Sequence, residues 1–177
     1  MRIRALQFFF AAISLPLVSI VADEIRPAKF VDVDGNTLST AEGHITVVVL
    51  TTKADLPKAH LVGDRTPDFC LGNPTYRMIT LVKFENHGGL VRSLAAAMAR
   101  RRLDAEAKQL QSRYAAKKIE RDARHDIFAV VDVDGTAAAQ LPGELPVFAV
   151  FVFGKTGELL KQWNDVPEAA ELAEALK

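Results

Sequence analysis

Two aspartates, two residues apart at the end of an apolar run, are the first feature of this sequence with chemical meaning. The stretch "FAVVDVDGTAAAQ" (residues 128–140) delivers Asp132 and Asp134 just ahead of Gly135 and Thr136. In such an arrangement the first carboxylate can attack a phosphoryl group while the second manages the proton. That chemistry also needs a lysine to hold charge and further carboxylates for Mg²⁺. Only 41 residues follow Thr136; they offer Lys155, Lys161 and Asp165, but too little chain for the remaining strands of such a site. The phrase also stands earlier, as "FVDVDGNTLST" (residues 30–40). A tight Asp-Gly turn after an extended segment explains both copies. The first copy does not make a calcium loop either, because Gly35 comes too early after Asp32 and Asp34. Both are read as turns.

The other reactive side chains are sparse. Cys70 is the single cysteine, so no intramolecular disulfide, no Cys-x-x-Cys and no thiolate-rich metal site can form. It sits in "DRTPDFCLGN", with Arg65 nearby and Pro67, Phe69 and Leu71 around it. A cation would lower the thiol pKa, whereas an apolar setting would raise it. The apolar neighbours favour an inert, buried thiol over a lone-thiol peroxidase or redox sensor. The four histidines, His44, His60, His87 and His125, have no ligand spacing, so no metal or other cofactor is expected. His60 and His87 are read as structural, since neither has a nucleophile or carboxylate partner at a defined spacing. Residues 90–125 hold ten basic and four acidic residues, a net of +6 that includes the run Arg100, Arg101, Arg102. This is either a docking surface for an anionic partner or a solvated face with local ion pairs, and the second is the expectation.

The elements that must position these residues follow from the pattern. The 177-residue length suits one domain, and 49% apolar residues suffice for a core. Formal net charge is zero, so bulk charge points to no polyanionic partner. The start is different: Arg2 and Arg4 precede the apolar run "ALQFFFAAISLPLVSIVA", which ends at Ala22 before Asp23. This reads as a signal peptide over residues 1–22, followed by a mature domain over 23–177. A retained membrane anchor is the alternative, since the run approaches the ~18 residues needed to span. Pro16 and the small residue at the cleavage position favour removal. Either way the domain is exported, to the periplasm or secreted.

In the mature chain, "KFVDVDGNTLST" predicts a hairpin turning at Asp34-Gly35. Ile45, Val47, Val48, Val49 and Leu50 predict a strand buried on both faces. A helix is expected from about Asp55, with Pro57 in its first turn. Residues 76–84 form the next strand, followed by a helical region over about 90–123. Val91, Leu94 and Met98 form one apolar stripe in that region; Leu103, Ala107, Leu110 and Tyr114 form another. The five-residue step between them predicts a kink or two helices near residues 100–104. "DIFAVVDVDG", "PVFAVFVF" and "ELLKQW" predict three more strands. A last helix is expected with Asp165 as cap, Glu168 three residues on and Pro167 in the first turn. Alternating strands and helices imply an α/β fold with a parallel core covered on both faces.

In this order the pattern resembles the thioredoxin-like fold, of the exported kind related to cytochrome-maturation thioredoxins and peroxiredoxins. "VDVDGNTLSTAEGHITVVVL" resembles the opening hairpin and first core strand. "FAVVDVDGTAAAQL" resembles the strand and turn before a late short helix, and "VFAVFVFGKTGELLKQW" the closing hairpin. The likeness spans about residues 30–177. It implies a three-layer α/β/α sandwich with an N-terminal β-hairpin and an enlarged helical insertion over about residues 88–125. The family places its reactive thiols just after the first core strand, at a helix start. Here that position holds Asp55-Leu56-Pro57-Lys58. The family's cis-proline would fall near Phe148, and Pro146 lies two residues earlier. The resemblance therefore implies an exported thioredoxin-like domain without dithiol redox activity, acting as a binding or structural module. Its contact face would be the former active-site turn around Asp55 and Lys58, with the basic run as a second candidate. The partner would be a protein or an anionic surface. Export argues against nucleic acid, and a membrane enters only if the leading segment is retained. The alternative is an enzyme that uses Cys70 as its single thiol.

Processing at Ala22 is expected to leave Asp23 as the first residue of the mature protein. N-terminal sequencing of envelope or secreted material checks this, and an intact Met1 on a cytoplasmic product would refute it.

Overall fold

A computed structural model describes residues 27–84 and 89–177. The leading basic and apolar segment, and with it the expected cleavage site, lies outside the described residues, as does His87. Among the described residues no helix is long and apolar enough to cross a membrane.

The centre is β3 (Ile45–Thr52), the β-branched run. Val48, Val49 and Leu50 have no solvent exposure. Its two edges pair differently, parallel to β4 (Tyr76–Lys83) and antiparallel to β6 (Ala149–Phe153). Beyond β4 lies β5 (Ile127–Asp132), parallel; beyond β6 lies β7 (Leu159–Trp163), antiparallel. The five-stranded order is β5-β4-β3-β6-β7. β1 (Lys29–Val31) and β2 (Thr37–Ser39) form the expected separate hairpin.

Strand alternation divides the core in two. On one face, Val48, Leu50, Ile79, Leu81, Val130 and Phe151 pack against Phe30 and Leu38 of the hairpin and Ala138 of a short 3-10 helix, Ala138–Gln140. On the other, Val47, Val49, Val150 and Val152 meet Ala59 and Val62 of α1 (Leu56–Arg65) and Leu172 and Leu176 at the chain's end. The register places Val47, Met78 and Ile127 side by side, so β5 offers this same face to α2 (Gly89–Ala116). Right-handed parallel crossovers require that, since both crossover helices must then lie on one side. Leu103 of α2 packs there on Ala129.

Three expectations about helices need correction. First, α2 runs without a break through residues 100–104. The sheet-facing stripe is built from alanine: Ala95, Ala99, Leu103, Ala107 and Leu110 keep helical phase down to Tyr114, whereas Leu94 and Met98 are exposed. Second, α2 stops at Ala116 rather than 123. Lys118 takes a left-handed φ of 58°, and the chain turns into a 3-10 helix, Ala123–Asp126. Third, Asp165 does not cap the last helix. α3 (Ala169–Ala175) starts later, with Glu168 at its cap position and no side-chain bond there.

Near the end of α2, Tyr114 is buried and its hydroxyl donates to Asp126 at 2.9 Å while accepting the Gly72 N–H at 2.9 Å. A Cβ on Gly72 would stand 2.6 Å from Ile119, so only glycine lets this loop approach. At the opposite edge Trp163, half-buried, packs into the α1/α3 core with a lysine ammonium, Lys161, 5.9 Å from its ring centre.

The two Asp-Gly phrases do one job. Asp32 accepts the Asp34 and Asn36 N–H groups at 2.9 and 2.7 Å, and the Asn36 amide at 2.9 Å. Asp132 accepts the Ala138 N–H at 2.9 Å and the Ala137 N–H at 3.4 Å. Both aspartates are buried, and Gly35 and Gly135 take φ of +88° and +77° at the turns. Asp132 uses both oxygens on backbone donors, so it is less replaceable than a surface turn residue. Asp132→Asn sets an amide against one of those N–H groups and is expected to cost about 1–2 kcal/mol. Asp134→Asn, at an exposed position, should cost under about 0.5 kcal/mol. Urea unfolding of the two variants checks the difference.

Candidate functional site

The chain leaves β3 at Thr52 and turns through residues 53–55 into α1. Thr52 Oγ1 donates to Asp55 Oδ2 at 3.1 Å, which fixes the carboxylate back toward the strand rather than over the helix N–H groups. Pro57 fits the first turn because the N–H it lacks has no partner there. Lys58, one residue on, reaches across to Asp165 at 3.1 Å and stands 5.3 Å from the centre of the Phe148 ring. Asp165 also accepts the Val166 N–H at 2.8 Å. That bond first, and Lys58 second, hold its carboxyl below the ordinary range. This explains why Asp165 is not a helix cap: it closes the β7–α3 loop against the start of α1. Phe148 is buried next to Val147, which is 63% exposed. The peptide bonds of the described residues are all trans, including that at Pro146. The turn thus unites Asp55, Lys58, Phe148 and Asp165 at the carboxyl end of the central strand, with no sulfur among them.

Cys70 lies elsewhere, in the 3-10 helix Asp68–Cys70 between α1 and β4. It packs in the cluster with Val47, Ala59 and Val62 and is 8% exposed. Burial pushes its thiol pKa up to about 11. Arg65 gives it no help, because that guanidinium donates to the Pro167 carbonyl at 2.6 Å and lies 3.5 Å from Glu168.

The basic stretch, α2 together with the turn that follows it, is largely neutralised in place. Arg100 bonds the Val33 carbonyl and pairs with Asp34 at 3.4 Å. Arg124 reaches Asp34 at 2.5 Å and Asp104 at 3.0 Å. Lys117 meets Asp68 at 2.5 Å, and Arg121 meets Asp126 at 2.7 Å. Arg102 lies 3.7 Å from Glu106, while Arg101 is exposed. The three consecutive arginines are all solvent-exposed but are engaged differently. Arg100 ties down the hairpin turn, Arg102 faces a carboxylate of its own helix, and Arg101 faces solvent.

A feature missing from the sequence reading is a cleft of about 160 Å³ between α1 and α2, along the sheet. Ala59 and Gly63 of α1, Leu103 and Leu110 of α2, and Met78 of β4 line it. His60 Nε2 and Glu106 Oε1 stand 3.2 Å apart at its rim. Burial raises the Glu106 pKa; the charges of His60 and Arg102 oppose that rise without cancelling it. His60 therefore does have a carboxylate partner, 46 residues away in sequence. The available signal was Glu106 itself, three residues after Leu103 and four before Leu110, a charge set on an apolar stripe.

No family model matches the sequence, and no curated protein matches it. Solved structures do match. A thioredoxin-like protein from Aeropyrum pernix is 12% identical with a TM-score of 0.52, over 84% of this chain and 86% of that one. A DsbF homologue from Corynebacterium diphtheriae is 11% identical with a TM-score of 0.51, over 86% and 83%. A thiol:disulfide interchange protein of the thioredoxin family from Chlorobium tepidum is 12% identical with a TM-score of 0.50, over 85% and 90%. The chain has the thioredoxin-like fold, and it carries one cysteine.

The buried thiol has a measurable pH signature. Its folded pKa lies above the unfolded value of 9.0, so folding favours the protonated form. Its contribution is intact below pH 9 and is lost as pH rises toward 11, up to about 3 kcal/mol at the alkaline limit. Tyr114, pushed up to about 12, adds a similar loss only above its own ordinary value of 10. Cys70→Ala should therefore flatten the fall in thermal midpoint between about pH 9 and 10. Iodoacetamide should alkylate native Cys70 slowly at pH 7 and quickly after denaturation; rapid native alkylation would contradict the burial.

Proposed function

We propose that this chain is an exported, thioredoxin-like binding module that performs no dithiol exchange and meets a protein partner at the turn around Asp55 and Lys58. One observation carries the reading. Where the fold's reactive thiols would stand, Lys58 is held by Asp165 and Phe148. Exchange needs an attacking and a resolving thiol, and the chain's lone cysteine is not at that turn.

The surface there suits recognition. Val147 offers exposed apolar area next in sequence to Phe148, the ring that Lys58 approaches, and Lys58 is 44% exposed and stays hydrated. An aliphatic contact flanked by charge is what a partner segment can desolvate and orient on. The exposed Lys58–Asp165 pair adds little stability by itself, so a partner can rearrange it at small cost. An anionic surface is a poorer partner, because Arg100, Arg102, Lys117, Arg121 and Arg124 face carboxylates of the same chain. The single-thiol enzyme is also the weaker reading. A thiol with a pKa near 11 is almost wholly protonated at neutral pH, and the thiolate is the nucleophile. Export rests on the leading basic and apolar segment.

Insulin reduction with dithiothreitol should proceed at the uncatalysed rate, and a rate comparable to a thioredoxin control would end the redox-inactive assignment. The mature chain should stay in the supernatant when sedimented with anionic phospholipid vesicles at about 0.15 M salt. Binding there that Arg101→Glu abolishes would replace the protein partner with a membrane surface.

A further inference from the structure

We propose that the cleft between α1 and α2 is a binding site for a small, neutral, aromatic-sized molecule bearing one hydrogen-bond donor, which Glu106 accepts. The inference is independent of the contact face at Asp55 and Lys58.

Size comes first. The cleft holds about 160 Å³, and an apolar cavity of ~150 Å³ holds benzene. Leu103, Leu110, Met78 and Ala59 are among its apolar walls, which suit an apolar ligand body. Ligand sites typically combine such walls with a few convergent polar groups, and here His60 and Glu106 stand together at the rim. Arg113 is committed to the Gly63 and Thr66 carbonyls at 3.3 and 3.5 Å. Tyr114 is committed to Gly72 and Asp126.

Charge then selects the head group. His60 at 3.2 Å and Arg102 at 3.7 Å both approach Glu106 through Oε1, and a carboxylate offers about four acceptor sites on its two oxygens. A ligand N–H or O–H can therefore add a bond to this carboxylate. An anion would face the carboxylates of Glu106 and Asp64 on the cleft lining. A cation would compete with Arg102 and with His60. A neutral donor meets neither obstacle.

An independent observation is that the fold keeps this space open without needing it. Gly63 lies inside α1, where glycine costs about 1 kcal/mol relative to alanine. Its φ is not in the left-handed region, and a Cβ there would meet only Met78 Cε, at 4.0 Å. Neither backbone conformation nor crowding calls for glycine, whereas a ligand body seated between the helices would.

Phenol, benzene and benzoate serve as probes, titrated into the full mature chain and followed by amide NMR shifts. Phenol should saturate shifts confined to the α1–α2 cleft, about fivefold tighter than benzene, the yield of one net hydrogen bond. Benzoate should not saturate. Gly63→Leu, which extends a side chain into the cleft, should weaken phenol at least tenfold. Glu106→Ala should bring phenol and benzene to equal affinity, and this comparison stands even if Gly63→Leu does not fold. Absence of saturable phenol binding by the wild-type chain, benzoate binding as tight as phenol, or a phenol preference surviving Glu106→Ala would each overturn the proposal.

Discussion

The burial of β3 on both faces and both edges is the constraint from which the rest of the molecule follows. A strand with no solvent on any side must have its backbone groups paired left and right and apolar cover above and below. Parallel pairing with β4 forces a crossover, and that crossover is α1, which therefore begins at the strand's carboxyl end. Antiparallel pairing with β6 delivers Phe148 to the same end of the sheet. The meeting of Lys58, Phe148 and Asp165 is thus a product of topology. This end of an open α/β sheet is also where side chains from separate loops converge, so the arrangement forms with no sulfur among its members.

The second face depends on less. The hairpin adds Phe30 and Leu38 to the core but pairs with no strand of the main sheet. A backbone bond from the Val33 N–H to the Ala129 carbonyl of β5 at 2.9 Å links it there, and it is fastened further by Arg77, whose guanidinium bonds the Ser39 carbonyl and Glu42, and by Asp34, which gathers Arg100 and Arg124. The basic stretch, through Arg100 of α2 and Arg124 beyond it, is consequently a tether for the hairpin turn. Exposed ion pairs of this kind weaken as salt rises, whereas Arg77, 8% exposed, is insulated from it.

Much of the fold was legible because its signals are local. β-Branched runs marked β3 and β6, Asp-Gly pairs marked the turns, and Pro57 marked the start of α1. The misreadings arose where a residue type has two uses. Leu94 and Met98 look like core and lie on the surface, while Ala95 and Ala99, too small to catch the eye, face the sheet and keep α2 continuous. Asp165 with Glu168 looks like a capping box, but a lysine from a distant helix claims the aspartate. The candidate site was legible only in part. The turn at Asp55 and Lys58 could be placed by counting from β3. The cleft could not, because His60 and Glu106 meet only once α2 lies alongside α1.

The placement of Trp163 has an optical consequence. It is the only tryptophan of the chain, half-buried where the edge strand β7 meets the α1/α3 core, with an ammonium near its ring. Its ultraviolet emission therefore comes from one known environment. Loosening of the closing strand would change the polarity around the indole, while events at the hairpin, on the opposite face of the sheet, would leave the spectrum unchanged. The molecule carries an intrinsic fluorophore that separates the order of its helical face from that of its other side without any added label.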